Sequence, residues 1–139
     1  MAEAAPTPGT IYRPPAYALL EKDLKDIADL VNAGIPRTQA TVLIVLHRHA
    51  AGAVTSRWIE RVADLRQPEV SIAMAAWIEV GLVNVTEDKG PSKGRPVKLY
   101  RLMGDPAKYL RDILGTRMQE LNKGVMAINR IFAAGRAEA

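Results

Sequence analysis

The 139-residue chain contains no cysteine. That excludes disulfides, thiolate metal ligands and cysteine nucleophiles at once. Aromatic residues are few, with one Phe, two Trp and four Tyr, so a core must rest on aliphatic side chains. No apolar run approaches the ~20 residues that span a bilayer. The opening MAEAAPTPGT lacks the basic and apolar regions of a secretory signal, and the expected location is cytoplasmic and nucleoid-associated. Histidine is scarce as well: His47 and His49 are two apart, so on a helix they point to different faces and cannot share a metal as an i, i+4 pair would. They read as helix-end or surface histidines. Glu60 and Asp64 stand four apart with nothing to complete an acid–base site. DKGPSKGR (88–95) lacks the spacing of a phosphate-binding loop, and no helix follows it. No enzyme activity, metal or cofactor is expected.

What is present is an ordinary globular composition with a basic balance, 48% hydrophobic with a formal net charge of +4. The charge favours an anionic partner without establishing one. Residues 1–16 hold four prolines and no apolar period, which predicts a flexible arm. A helix is expected over 17–34, where Tyr17, Leu20, Leu24, Ile27 and Val31 form a narrow seam closed by Gly34. Pro36 and Thr38 open a second helix whose TVLIVL stretch (41–46) is apolar all round and therefore buried.

A short extended piece (53–55) precedes a helix capped by Thr55 or Ser56, with Trp58, Ile59, Val62 and Leu65 inward. Arg66 and Gln67 make a turn. Pro68 is placed as the first residue of the next helix, which Gly81 stops. Two strands follow, LVNVTE and PVKLYRL, joined by a basic turn-rich loop. A last helix starts at Asp105–Pro106 and runs about 28 residues. The expected fold class is mainly α with a small β-hairpin (α+β): a winged helix–turn–helix domain over 35–104, flanked by N- and C-terminal dimerisation helices at 17–34 and 105–139.

Residues 55–83 (TSRWIERVADLRQPEVSIAMAAWIEVGLV) resemble the helix–turn–helix of MarR-like, ArsR-like and TrmB-like regulators. Gly94-Arg95-Pro96 with Tyr100-Arg101-Leu102 is similar to the wing of those families. The pattern GIPR…LRQPEVSIAM resembles most closely a group of predicted archaeal regulators. The resemblance covers about half the chain and implies a winged helix fold, double-stranded DNA as ligand, and a homodimer.

A helix docked in the major groove presents its N-terminal residues to base edges. Gln67 can bond adenine bidentately, Ser71 a base or phosphate, and Arg66 a guanine or phosphate; Pro68 and Ile72 complete the expected contact set. Glu69 could accept from a cytosine amine, although a carboxylate in the first helical turn is favoured anyway. The helix departs from the family pattern. Residues 67–80 hold two glutamates and no base, and the positions expected outward are Ile72, Ala75 and Ala76. Such a patch can touch thymine methyls, or it can bind protein. The alternative function is therefore a winged-helix protein–protein module using that face, and the transcription machinery is a possible partner.

The wing compensates with Lys89, Lys93, Arg95, Lys98 and Arg101 and no acid from 89 to 101. Gly94 lets the loop approach a backbone closely, and an arginine at such a tip can enter a minor groove. Arg37 and Arg57, near helix starts, are further candidate phosphate contacts. In the last helix Leu114, Met118, Leu121, Val125, Ile128 and Phe132 follow 4,3,4,3,4 spacing, a heptad-like seam expected to form the dimer interface. An effector bound between the dimer helices is a third possibility, with no polar cluster to support it.

Overall fold

The computed structural model describes residues 19–88 and 96–137, with side chains to residue 133. The elements run α1 (Glu21–Asn32), α2 (Arg37–Arg48), β1 (Val54–Thr55), α3 (Ser56–Ala63), α4 (Gln67–Glu79), β2 (Val83–Asp88), β3 (Val97–Leu102) and α5 (Pro106–Ala137). The chain divides into two units, Met1–Gly104 and Asp105–Ala139. The first carries α1 to β3 and the second is α5 alone.

Helix α2 is the centre of the first unit. Ala40, Thr41, Val42, Leu43, Val45 and Leu46 are all buried, as an all-round apolar helix requires. It is packed by α1, α3, α4 and β3. Each such aliphatic side chain taken from water contributes about 1.5–3 kcal/mol. Ile59 and Val62 from α3 and Val70, Ala73, Met74 and Trp77 from α4 complete the core. The indole N–H of Trp77 donates to the Gln39 carbonyl at 2.9 Å, joining α4 to α2.

Local signals end the helices where the packing needs a change of direction. After α4, Gly81 takes φ +82, its N–H donates to the Ile78 carbonyl, and Leu82 N–H donates to the Trp77 carbonyl. This paired closure ties off orphan carbonyls, and the buried Leu82 and Trp77 lie at its two ends. Gly34, at φ +106, ends α1 in the same way through Leu30 and Val31. Helix α3 ends without glycine: Asp64 adopts φ 54, ψ 48, a left-handed conformation that aspartate tolerates better than most residues. The turn between α3 and α4 therefore begins at Asp64, and α4 begins at Gln67, one residue before the expected start. Pro68 occupies its second position, where no intrahelical N–H partner is lost.

The sheet has the order β1-β3-β2, wholly antiparallel. The expected hairpin is β2–β3, with Val83 opposite Leu102 and Asp88 opposite Val97. Val54 and Thr55 add a third strand by pairing with Tyr100 and Leu99. This is a winged helix fold, mainly α with a small β wing. Helix α5 spans 32 residues, slightly longer than its expected length.

Of the expected seam, Ile27 is buried and Val31 half-buried in the single chain. Leu20 and Leu24 are 63% and 53% exposed, whereas Asp23 is 1% exposed and shares the inner face with Ile27. Tyr17 lies outside the described residues. A carboxylate can be buried there because donors surround it. Leu20 N–H donates to Oδ2 at 2.9 Å, Arg48 Nη1 to Oδ1 at 2.7 Å, and His49 Nε2 lies 2.8 Å from Oδ2. Arg48 also pairs with Asp26. His49 is thus a helix-end residue as expected, but it is tied to α1, while His47 is exposed.

Burial alone would push the Asp23 carboxyl up; the Arg48 hydrogen bond, then Leu20 N–H and His49, overcome it and lower it from 3.8 to about 2. A depressed carboxyl stabilises the fold fully above its unfolded value and loses that contribution as pH falls through the folded one. Here the window runs from about pH 4 to about pH 2, and the shift corresponds to about 2 kcal/mol. Urea unfolding at several pH values should show wild-type stability falling across that window. Asp23→Asn should be less stable at neutral pH and flatter below pH 4. Parallel pH curves for the two proteins would contradict this role.

Candidate nucleic-acid interface

The start of α4 is built from its own side chains. Glu69, in the first turn, accepts from the Arg66 backbone N–H at 3.0 Å, closing one orphan donor ahead of the helix. The carboxylate that could have read a cytosine is therefore turned back on its own helix, the role favoured for an acid in the first turn. Arg66 occupies the N-cap position with its side chain exposed. Gln67, Pro68 and Ser71 are exposed, and Ile72 is 69% exposed on the same side. Ala75 is exposed, but Ala76 is half-buried, so the outward apolar patch is narrower than expected. Behind them Val70, Ala73, Met74 and Trp77 anchor the opposite face in the core.

An open cleft of about 340 Å³ runs beside this helix start. Gln67 and Ser71 line it from α4, Ser56, Arg57 and Glu60 from α3, Thr55 from β1, and Val97, Lys98 and Tyr100 from β3. The fold thus brings together four of the expected DNA contacts, Gln67, Ser71, Lys98 and Arg57. One acid is present, Glu60, which accepts from the Ser56 hydroxyl at 3.1 Å. At the neighbouring corner the Thr55 hydroxyl accepts from Trp58 N–H at 3.1 Å and caps α3, which fixes where Arg57 leaves the helix.

Strand alternation separates the basic residues of the wing. Arg101 is out of phase with Lys98 and Tyr100, so it lies on the other face of the sheet. Lys98 stands opposite Glu87 across the ladder. Lys89, Lys93, Gly94 and Arg95 fall outside the described residues. Arg37 is exposed at the start of α2 and is not among the residues that line the cleft.

Three features escaped the sequence reading. Tyr100 was legible as a strand residue but not as a cleft wall, because the β1–β3 pairing that places it is non-local. Glu60 gave no sign that it would sit beside Gln67. Asp23 could have been suspected, since it stands three residues after Leu20 and four before Ile27. Among the described residues no His, Cys, Asp and Glu cluster could hold a metal ion, and no helix is long and apolar enough to cross a membrane.

Residues 33–94 match the MarR family. That match covers less than half of the 139-residue chain, and with the fold above it makes this segment similar to a MarR-family winged helix–turn–helix domain. Among solved structures the chain is similar to a possible transcriptional regulator from Methanosarcina mazei Go1, at 10% identity and TM-score 0.53, covering 77% of this chain and 86% of that one. It is also similar to a MarR family regulator from Neisseria meningitidis, at 21% identity and TM-score 0.46, covering 84% and 81%. A third is a MarR family transcriptional regulator from Silicibacter pomeroyi, at 19% identity and TM-score 0.47, covering 81% and 82%. No curated protein matches the sequence.

Glu69→Ala should lower stability by roughly 0.5–2 kcal/mol through loss of the closure at Arg66, and Glu69→Gln, which can accept the same bond, should restore most of it. Thermal unfolding of the three proteins checks this. Equal losses for Ala and Gln would mean that charge near the helix start, not the hydrogen bond, is what Glu69 contributes.

Proposed function

We propose that this chain is a sequence-specific, double-stranded DNA-binding transcription regulator that acts as a homodimer. Helix α4 enters the major groove and the wing lies on the adjacent backbone or minor groove. The observation that carries this reading is the cleft where Gln67 and Ser71, at the exposed start of α4, meet Arg57 and Lys98. Two cations beside two base-bonding side chains fit a division into phosphate positioning and base readout. Arg66 extends the cationic side at the N-cap, and Lys93, Gly94 and Arg95 would extend it at the wing tip.

Residues 35–104 would then be the DNA-binding part and 105–139 the dimerisation part. In the single chain Met118, Leu121, Val125, Ile128 and Phe132 are exposed along α5, and Leu114 is half-buried. Large aliphatic groups at heptad spacing gain most when a second copy covers them. A pair of winged domains would read paired half-sites. The exposed Ile72 favours one other reading, a protein-binding face.

A mobility-shift titration with random-sequence duplex at about 50 and 200 mM salt separates the two, since binding through phosphates weakens steeply with salt. A DNA regulator shifts the duplex with that dependence; a protein-binding module leaves it free at both salts. Lys98→Ala should reduce the slope of log affinity against log salt by about one.

Leu121→Asp with Val125→Asp should turn the dimer into a monomer by light scattering, with the helical circular dichroism retained and DNA affinity much reduced. A double variant that stays dimeric would remove α5 from the interface.

A further inference from the structure

We infer that Ile72 is a specificity-determining residue that reads thymine C5-methyl groups, so that the half-site under the first two turns of α4 is built of A·T pairs. This deepens the proposed function and rests on it. Ile72 is 69% exposed, and the residues around it on the outer face, Pro68, Ser71 and Ala75, are all small or compact. Apart from Gln67 at the helix start, and Glu69, whose carboxylate is turned back on Arg66 N–H, no long side chain on those turns holds the helix axis away from the groove floor. A helix with side chains is about 10–12 Å across and the major groove about 12 Å wide, so short outer residues allow carbon-to-carbon contact with base edges. The thymine methyl is the apolar group that the bases present in that groove.

The polar neighbours agree with this choice. Gln67, one turn before Ser71, suits adenine, the partner of thymine. The cytosine-reading group that this stretch could have offered, the Glu69 carboxylate, accepts from Arg66 N–H instead. The nearest guanine-reading cation, Arg66, stands at the N-cap rather than on the outward turns. Arg57 and Lys98, lining the adjacent cleft, are placed for phosphates and set the electrostatic match to DNA rather than to an apolar protein surface. Ile72 thus lies within the proposed groove contact.

The test is a binding-site selection with the full-length chain on a random duplex library, followed by a uracil scan of the selected duplex. Each thymine is replaced in turn by deoxyuridine, which removes only the methyl group. Selected half-sites should carry A·T pairs at their core. At least one uracil per half-site should weaken wild-type binding about fourfold, the worth of one buried methyl-sized group. Ile72→Ala, an exposed change to a better helix former, should bind the thymine and uracil duplexes alike. A G·C core, a flat scan in the wild type, or a thymine–uracil difference that persists in Ile72→Ala overturns the inference. A flat scan on an enriched site leaves DNA reading standing and removes only the methyl contact; no enriched site removes both.

Discussion

The middle of helix α2, residues 40–46, has no side to offer water, and the first unit is arranged to meet that constraint. Val42 and Val45 are fully buried, and Leu43 and Leu46 nearly so. Four elements surround the helix: α1, α3, α4 and β3. Because α4 must give its Val70, Ala73, Met74 and Trp77 face to α2, its other face, with Gln67, Ser71, Ile72 and Ala75, can only point outward. The outward face of the candidate recognition helix is thus a consequence of core packing. The Trp77–Gln39 hydrogen bond fixes the rotation of α4 about its axis more tightly than apolar contact alone.

Position along the chain is set by the terminators. The left-handed Asp64 turns the chain out of α3, Glu69 closes the start of α4, and Gly81 with Leu82 turns it into β2. Strand β2 places β3, and β3 in turn recruits β1 from just before α3. That circuit brings Lys98 and Tyr100 against the start of α4, thirty residues away in sequence, and creates the cleft. Arg57 from α3 and Lys98 from β3 line this cleft.

Much of this was legible in the sequence because the signals are local. Apolar period, Gly34, Gly81, Thr55 and the alternation of LVNVTE and PVKLYRL mark elements within a few residues of their ends. The non-local features were not legible. The seam 20–24–27–31 has proper helical spacing, yet α1 turns Asp23 inward beside Ile27 while Leu20 and Leu24 stay exposed, because Arg48 and His49 arrive from the end of α2 to satisfy the carboxylate. Nothing near residue 23 announces donors that lie 25 and 26 positions away. Ala76 was expected outward and is half-buried, since α4 has hardly any apolar asymmetry to read: Ile72, Ala75, Ala76 and Ile78 leave its two faces alike in sequence. For the candidate site, Gln67, Ser71 and Lys98 were identifiable separately by residue type, whereas their shared cleft depends on strand pairing. The wing tip lies outside the described residues and remains an expectation from the sequence.

The account stands on the outer face of α4 being the surface that meets DNA. Amide hydrogen exchange followed by mass spectrometry, with and without a saturating duplex, tests this most directly. The account predicts slowed exchange in peptides covering α4 from Gln67 to about Ala76 and in those covering β3 around Lys98, with α2 unchanged because it is already buried. Protection that appears only in α1 or α5, with α4 exchanging as before, would contradict it.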